Sequence, residues 1–165
     1  MTTQQRQLGF SLVELLIVVG IIGVVSAIAI PNLISSRRSA NEASAISTLR
    51  LLFTAQQTYK STSGSGSFGS FANLQTAGLI DTVVAASDTT AKSGYLFTNT
   101  LPNAVTFPAF DATAEPTTST GALATGTRSW LVNETGVLYY AVGGTAPTCA
   151  NDASRAVTGG SPVNW

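Results

Sequence analysis

Phe10 to Ile30 reads FSLVELLIVVGIIGVVSAIAI, and the fold turns on how this stretch is understood. Leu, Ile and Val dominate it, without the alternation that suits a half-buried strand. At about 1.5 Å of rise per residue, a helix of this length crosses a hydrocarbon core of roughly 30 Å. From Leu15 to Ser36 there are 22 residues without a charge. Glu14 stands at the start of the run. A carboxylate deep in an apolar segment costs about 2.5–3.5 kcal/mol, and residues kept at that cost tend to be functional. Close to the segment's end, the side chain can instead reach back to the interface.

Three readings compete for the segment: a secretory signal peptide, a plain membrane anchor, and a helix that passes from membrane to polymer. Arg6 supplies a basic flank, and Ala27-Ile28-Ala29 has the small-x-small form of a signal cleavage site. The apolar stretch is longer than the usual signal core of about 7–15 residues, and neither passive reading needs Glu14. Small residues at Gly20 and Gly23 allow close helix packing. Pro31 removes one backbone hydrogen bond and predicts a kink or local opening.

Outward from this segment the chain changes character. It has 165 residues, a length that fits one domain, with 10 % charged residues and no net charge. A bulk field that would attract nucleic acid is therefore missing. No histidine is present, which removes histidine-based triads, most zinc sites and the usual acid–base switch. Cys149 is the single cysteine, so no intrachain disulfide can form. From Ser61 onward the chain is rich in Ser, Thr, Gly and Ala, as a small exposed domain would be.

The helical period continues through Ala45, Ile46, Leu49, Leu52, Phe53, Gln56 and Tyr59, which predicts a core-packing face up to about Lys60. Ser61 to Ser70 is a flexible break. Its Gly64, Gly66 and Gly69 spell G-x-G-x-x-G, but a helix precedes them where a dinucleotide site needs a strand. Phe71 to Ile80 predicts a short helical turn closed by Gly78. Gly94 to Thr98 predicts a strand, and Ala104 to Phe110 a second one limited by Pro108. Ser129–Val132 and Val137–Tyr140 predict a hairpin around Asn133-Glu134-Thr135-Gly136. The tail from Gly143 to Trp165 reads as loop. No nucleophile has a visible base partner, so the chain is not expected to be an enzyme.

The residues Gly9-Phe10-Ser11-Leu12-Val13-Glu14-Leu15-Leu16-Ile17 resemble the signature of type IV prepilins and type II secretion pseudopilins. That resemblance implies a leader ending at Gly9, cleavage by a dedicated membrane peptidase, and N-methylation of the new terminus at Phe10. Glu14 falls at the family's fifth mature position and Pro31 at a frequent proline. The later pieces SGYLFT, RSWLVNETGVLYY and TYKSTSGSGSFGS resemble major pilins less specifically. The implied fold class is α+β: one long N-terminal helix whose C-terminal half packs on a small antiparallel sheet. The implied domains are a removed leader (1–9), an apolar membrane and polymerisation helix (10–38), and a globular pilin domain (39–165).

The resemblance also implies partners and place. They are a homopolymer of the chain itself, a prepilin peptidase/methylase and an inner-membrane assembly platform. The subunit would span the inner membrane once and then enter an extracellular filament. Only Arg6 precedes the segment while Arg37 and Arg38 follow it, so the positive-inside rule alone would turn the chain round. The leader's cytoplasmic place in the family overrides that rule. Glu14 of one subunit would pair with the Phe10 amine of the next, satisfying two groups costly to bury alone and fixing register between sliding apolar helices. In the family, helix is lost locally around Gly20, Gly23 and Pro31 on assembly.

No cofactor is expected. Some pseudopilins hold a C-terminal loop with calcium, and Asp81, Asp88, Asp111, Glu115, Glu134 and Asp152 are the candidates here, each better read as a solvated surface carboxylate. Without a disulfide, the loop from Ala146 to Trp165 must be held by Trp165, by a neighbour or by an ion. Asn133-Glu134-Thr135 is a glycosylation sequon in a predicted tight turn, which explains it equally well. Nucleic acid on Arg37 and Arg38 is not an expected ligand.

Overall fold

The computed structural model describes residues 9–102 and 106–163. The leader up to residue 8, Trp165, and the front of the strand expected over 104–110 lie outside them. The chain divides into two compact units, with the boundary between Ser36 and Arg37.

Helix α1 spans Leu12–Ser61 and runs without interruption through Gly20, Gly23 and Pro31. The break expected at these three residues is thus not a feature of the single chain: one missing N–H and two glycines do not undo a helix whose neighbouring turns all pair. In the first unit the helix has no core to join. Its most apolar 18-residue window has a mean hydropathy of 2.8 and none of it is buried. It is the one helix among the described residues long and apolar enough to cross a membrane.

From Arg37 the same helix becomes a core element. Ala45, Thr48, Leu49, Leu52, Ala55 and Gln56 are buried at the expected three- and four-residue spacing. Of these, Ala45, Leu49, Leu52 and Ala55 share one cluster with Tyr95, Phe97, Ala112, Ala114, Trp130, Val132 and Leu138 of the sheet. The helix stops where Ser and Gly replace apolar residues, and Gly64 N–H turns back to the Tyr59 carbonyl at 2.7 Å. Gln56, fully enclosed, then holds the break in place. Its amide accepts from Gly69 N–H at 2.9 Å and donates to the Gly69 carbonyl at 2.7 Å.

Two short helices follow, α2 (Phe71–Thr76) and α3 (Thr82–Ala85). Ser70 and Asn73 form a reciprocal capping box at the start of α2. Its end is a Schellman turn: Leu79 N–H reaches the Leu74 carbonyl, Gly78 N–H reaches Gln75, and Gly78 takes φ +70. Gly78 closes the turn as expected.

The sheet contains β1 (Tyr95–Thr100), β2 (Asp111–Pro116), β3 (Arg128–Asn133) and β4 (Leu138–Val142) as an antiparallel meander. A two-residue strand, β7 (Ser161–Pro162), pairs with the outer edge of β4. The strands β5 (Thr148–Cys149) and β6 (Val157–Thr158) form a separate small ribbon. The β3–β4 hairpin turns where expected: Gly136 at φ +78 donates to the Asn133 carbonyl at 3.0 Å. The fold is α+β, a pilin-like long helix followed by a small antiparallel sheet.

Two expectations fail. The second strand does not occupy residues 106–110 but begins at Asp111, past Pro108, whose ring and missing N–H exclude ladder pairing. The tail is not all loop: β5 and β6 within it pair with each other, and β7 pairs with the outer edge of β4, whose backbone groups need partners.

Candidate functional site

Gly9 and Phe10 precede the helix and are exposed, Phe10 at 81 %. Ser11 is the last residue before α1, and Glu14 is the third residue within it. The Glu14 carboxylate accepts the Ser11 N–H at 2.9 Å. An acidic side chain at this position satisfies one orphan donor of the first turn and complements the helix dipole. In the single chain Glu14 therefore serves its own helix start; Ser11, not Phe10, is its partner. Sequence reasoning missed this, although the spacing Ser11-x-x-Glu14 was there to read. Gly20 and Gly23 leave open space where side chains would stand. Leu12 to Leu33 exposes its large apolar residues on every side.

The second unit contains a different kind of site. Arg155 is buried, with 5 % of its side chain exposed, and adopts φ +47. Its Nε and one terminal nitrogen donate to both oxygens of Glu134, at 2.8 and 3.0 Å. Its two terminal nitrogens donate to both oxygens of Asp111, with Nη1 at 3.3 Å from Oδ2 and Nη2 on Oδ1. The carbonyls of Ala150 and Phe110 take further bonds at 3.1 and 3.3 Å. All of the guanidinium nitrogens are thus engaged by groups from β2, the β3–β4 turn and the tail. Burial pushes the Glu134 carboxyl up, but the bonds from Arg155 and from backbone N–H groups outweigh it and hold the group below its ordinary range. Burial is also the largest influence on Asp111, which is displaced upward in spite of Arg155. The Arg155 guanidinium itself is raised, chiefly by Glu134.

Asp111 and Glu134 are therefore not the solvated carboxylates expected: Arg155 occupies them. The other acidic candidates are distributed differently. Asp81 caps α3 through Val84 N–H at 2.7 Å. Glu115 accepts Ala146 N–H at 2.7 Å, Asp152 accepts Ser154 N–H at 2.8 Å, and Asp88 is exposed. Among the described residues no three metal-binding side chains converge. Cys149 is half-buried, donating to the Arg155 carbonyl at 3.2 Å and accepting from Asn133 at 3.4 Å. Burial is the main reason its thiol is pushed up. Asn133 is enclosed, and its carbonyl oxygen accepts from Thr135 N–H and Oγ, so the turn accounts for the Asn-Glu-Thr triplet. Arg38 donates to the carbonyls of Gly121, Ala122 and Ala124, fixing a loop of its own domain, while Arg37 is exposed.

Among the described residues, an exposed Gly9–Phe10 junction, a carboxylate at the helix start and an exposed apolar helix stand together in the first unit. The family model described as the prokaryotic N-terminal methylation motif matches residues 4–30. The type IV major pilin protein PilA of Myxococcus xanthus (strain DK1622) is 46 % identical over 54 residues, which are 33 % of this chain and 24 % of that protein. The match thus spans about a quarter of that relative's length. No solved structure matches. The N-terminal segment of the chain is thus similar to that of a type IV major pilin.

Proposed function

We propose that the chain is a structural subunit of a type IV pilus, made as a precursor, cut between Gly9 and Phe10, and N-methylated at Phe10. The observation that carries this reading is the combination of the methylation motif with an apolar helix segment of mean hydropathy 2.8 that is exposed among the described residues. Burying a single Leu or Ile is worth about 1.5–3 kcal/mol, so a wholly exposed apolar helix demands lipid or copies of itself. Before assembly, residues 10–38 cross the inner membrane and residues 39–165 lie outside it. An assembly platform then moves the subunit into an extracellular filament that serves adhesion, motility or DNA uptake. Glu14 exchanges the Ser11 N–H for the Phe10 amine of a neighbour and so sets the register, and Gly20, Gly23 and Pro31 mark where the helix opens. Glu14→Ala should abolish filaments while leaving the exposed domain folded. The relative is a type IV major pilin, and a structural rather than catalytic role accords with the missing histidines.

The test is mass analysis of the mature N-terminus from membranes and from sheared surface material. A methylated Phe10 enriched in the sheared material supports the pilus. The same terminus confined to membranes favours the short piston of a type II secretion system. A terminus at Ile30 means signal-peptidase cleavage after Ala29 and ends the filament reading.

A further inference from the structure

We propose that Arg155, Asp111 and Glu134 form a latch that closes the C-terminal segment over the outer edge of β4. The proposal stands on the second unit alone and does not depend on the filament reading.

The edge of β4 is guarded lightly. Only Tyr139 and Tyr140 face β7, through Pro162 and Ser161. Beyond that pair, Val163 donates its N–H to the Leu138 carbonyl at 2.8 Å. Two residues of strand pairing contribute little by themselves, since short ribbons are marginal in water. What keeps this cover in place lies just before it. The ribbon of β5 and β6 is bound to the sheet by the Arg155 guanidinium, whose acceptor Phe110 immediately precedes β2, whose acceptor Asp111 begins it and whose acceptor Glu134 begins the hairpin turn. The ribbon adds local bonds of its own: Ala150 N–H to the Ala156 carbonyl at 2.8 Å, and Cys149 Sγ to the Arg155 carbonyl. Arg155 holds a left-handed φ that a non-glycine residue adopts only when its surroundings enforce it.

One cation with fixed planar geometry thus does what a disulfide cannot do in a chain with one cysteine. The consequence is specific. Loss of the charge pairing should free the ribbon and β7 together and expose the backbone of β4, while the sheet behind stays closed. An uncovered edge of this kind is a template for pairing with another chain. The cover therefore keeps the edge of β4 from pairing with another chain.

The test is amide hydrogen exchange on the full chain in detergent micelles, comparing the unchanged protein with Arg155→Met and with the paired Asp111→Asn, Glu134→Gln variant, which keeps shape and removes charge. The expected result is at least about a tenfold faster exchange at Ala150 and Val163 in both variants, with Phe97, whose N–H donates to Ser87 on the far side of the sheet, unchanged. Trypsin gives a second readout, since the paired variant keeps Arg155 and should become cleavable after it within the folded domain. Equal acceleration at Phe97 would make the cluster part of the global core, and unchanged exchange at Val163 would show the cover independent of Arg155. Either result overturns the latch.

Discussion

The two stretches of α1 share one backbone conformation and differ in everything else. Leu16, Ile17, Val19 and Ile22 expose more than half their surface, whereas Leu49 and Leu52 expose 0 and 1 %. The first stretch is apolar on every side and the second only on one. A helix apolar all round needs cover all round, and a helix with one apolar stripe needs a single partner surface. The second finds that surface in its own sheet. The difference teaches that this chain encodes a complete fold and an incomplete one in a single element, and that the incomplete part points to polymer or lipid.

The sharpest way to break the comparison is to make the same truncation in both stretches. Leu49→Ala removes a side chain with no exposure from the centre of the core, and should cost about 2–5 kcal/mol of domain stability. Chemical denaturation of the full chain in detergent, followed through Trp130, checks it. A loss well under 1 kcal/mol would mean that the helix is not integral to the domain's core.

Gln56→Leu tests the same stretch at its polar position. The substitution keeps apolar bulk but leaves Gly69 N–H without its partner; the Gly69 carbonyl keeps Asn99, whose Nδ2 lies at 2.8 Å. An orphaned buried N–H costs about 1–3 kcal/mol. The loss should be accompanied by faster proteolysis between Ser61 and Ser70, the break that Gln56 holds. Unchanged stability would show that the break needs no anchor.

Much of this architecture was legible in the sequence. The uncharged run, the core stripe through Gln56 and the hairpin around Gly136 depend on periodicity and turn chemistry within a few residues of one another. Strand β2 was not legible, because its inward residues are Ala112, Ala114 and Pro116, which carry little strand signal although their alternation is regular. Arg155 was not legible for another reason. Its carboxylate partners lie 21 and 44 residues earlier, and no local pattern announces a bond across that distance. The available hint was that Arg155 is the only cation after Arg128. Glu14 was singled out for its cost in an apolar segment, yet its bond to Ser11 concerns helix capping, a separate physical problem.

A milder probe is the Tyr95 hydroxyl, which donates to the Arg128 carbonyl at 2.8 Å. Burial, with the nearby Glu42 charge adding to it, pushes the phenol up from 10.0 to about 12. The folded state thus favours the neutral form. Its contribution is complete below the unfolded value near 10.0 and is lost as pH rises towards about 12. Tyr95→Phe should cost about 1 kcal/mol at neutral pH through the lost bond. Thermal melts should then show a shallower alkaline decline for the variant than for the unchanged chain. Parallel declines would mean that other groups govern alkaline unfolding.

The smallest expected effect on the domain sharpens the comparison most. Leu16→Ala is the same chemical change as Leu49→Ala, on the same helix, at a residue 68 % exposed. No cavity forms where nothing was packed, so the domain's unfolding free energy should stay within about 0.5 kcal/mol of the unchanged chain. The cost should appear only when the first stretch acquires neighbours. If copies of the chain cover it, Leu16→Ala should lower the yield of sheared filaments without altering the melting of the soluble-facing domain. A variant that melts earlier in the monomer would mean that residues before Ser36 already support the domain, and the division of α1 into complete and incomplete parts would fail. A variant with normal melting and normal filament yield would instead place Leu16 on a lipid- or lumen-facing side and move the packing seam to other residues of the same stretch.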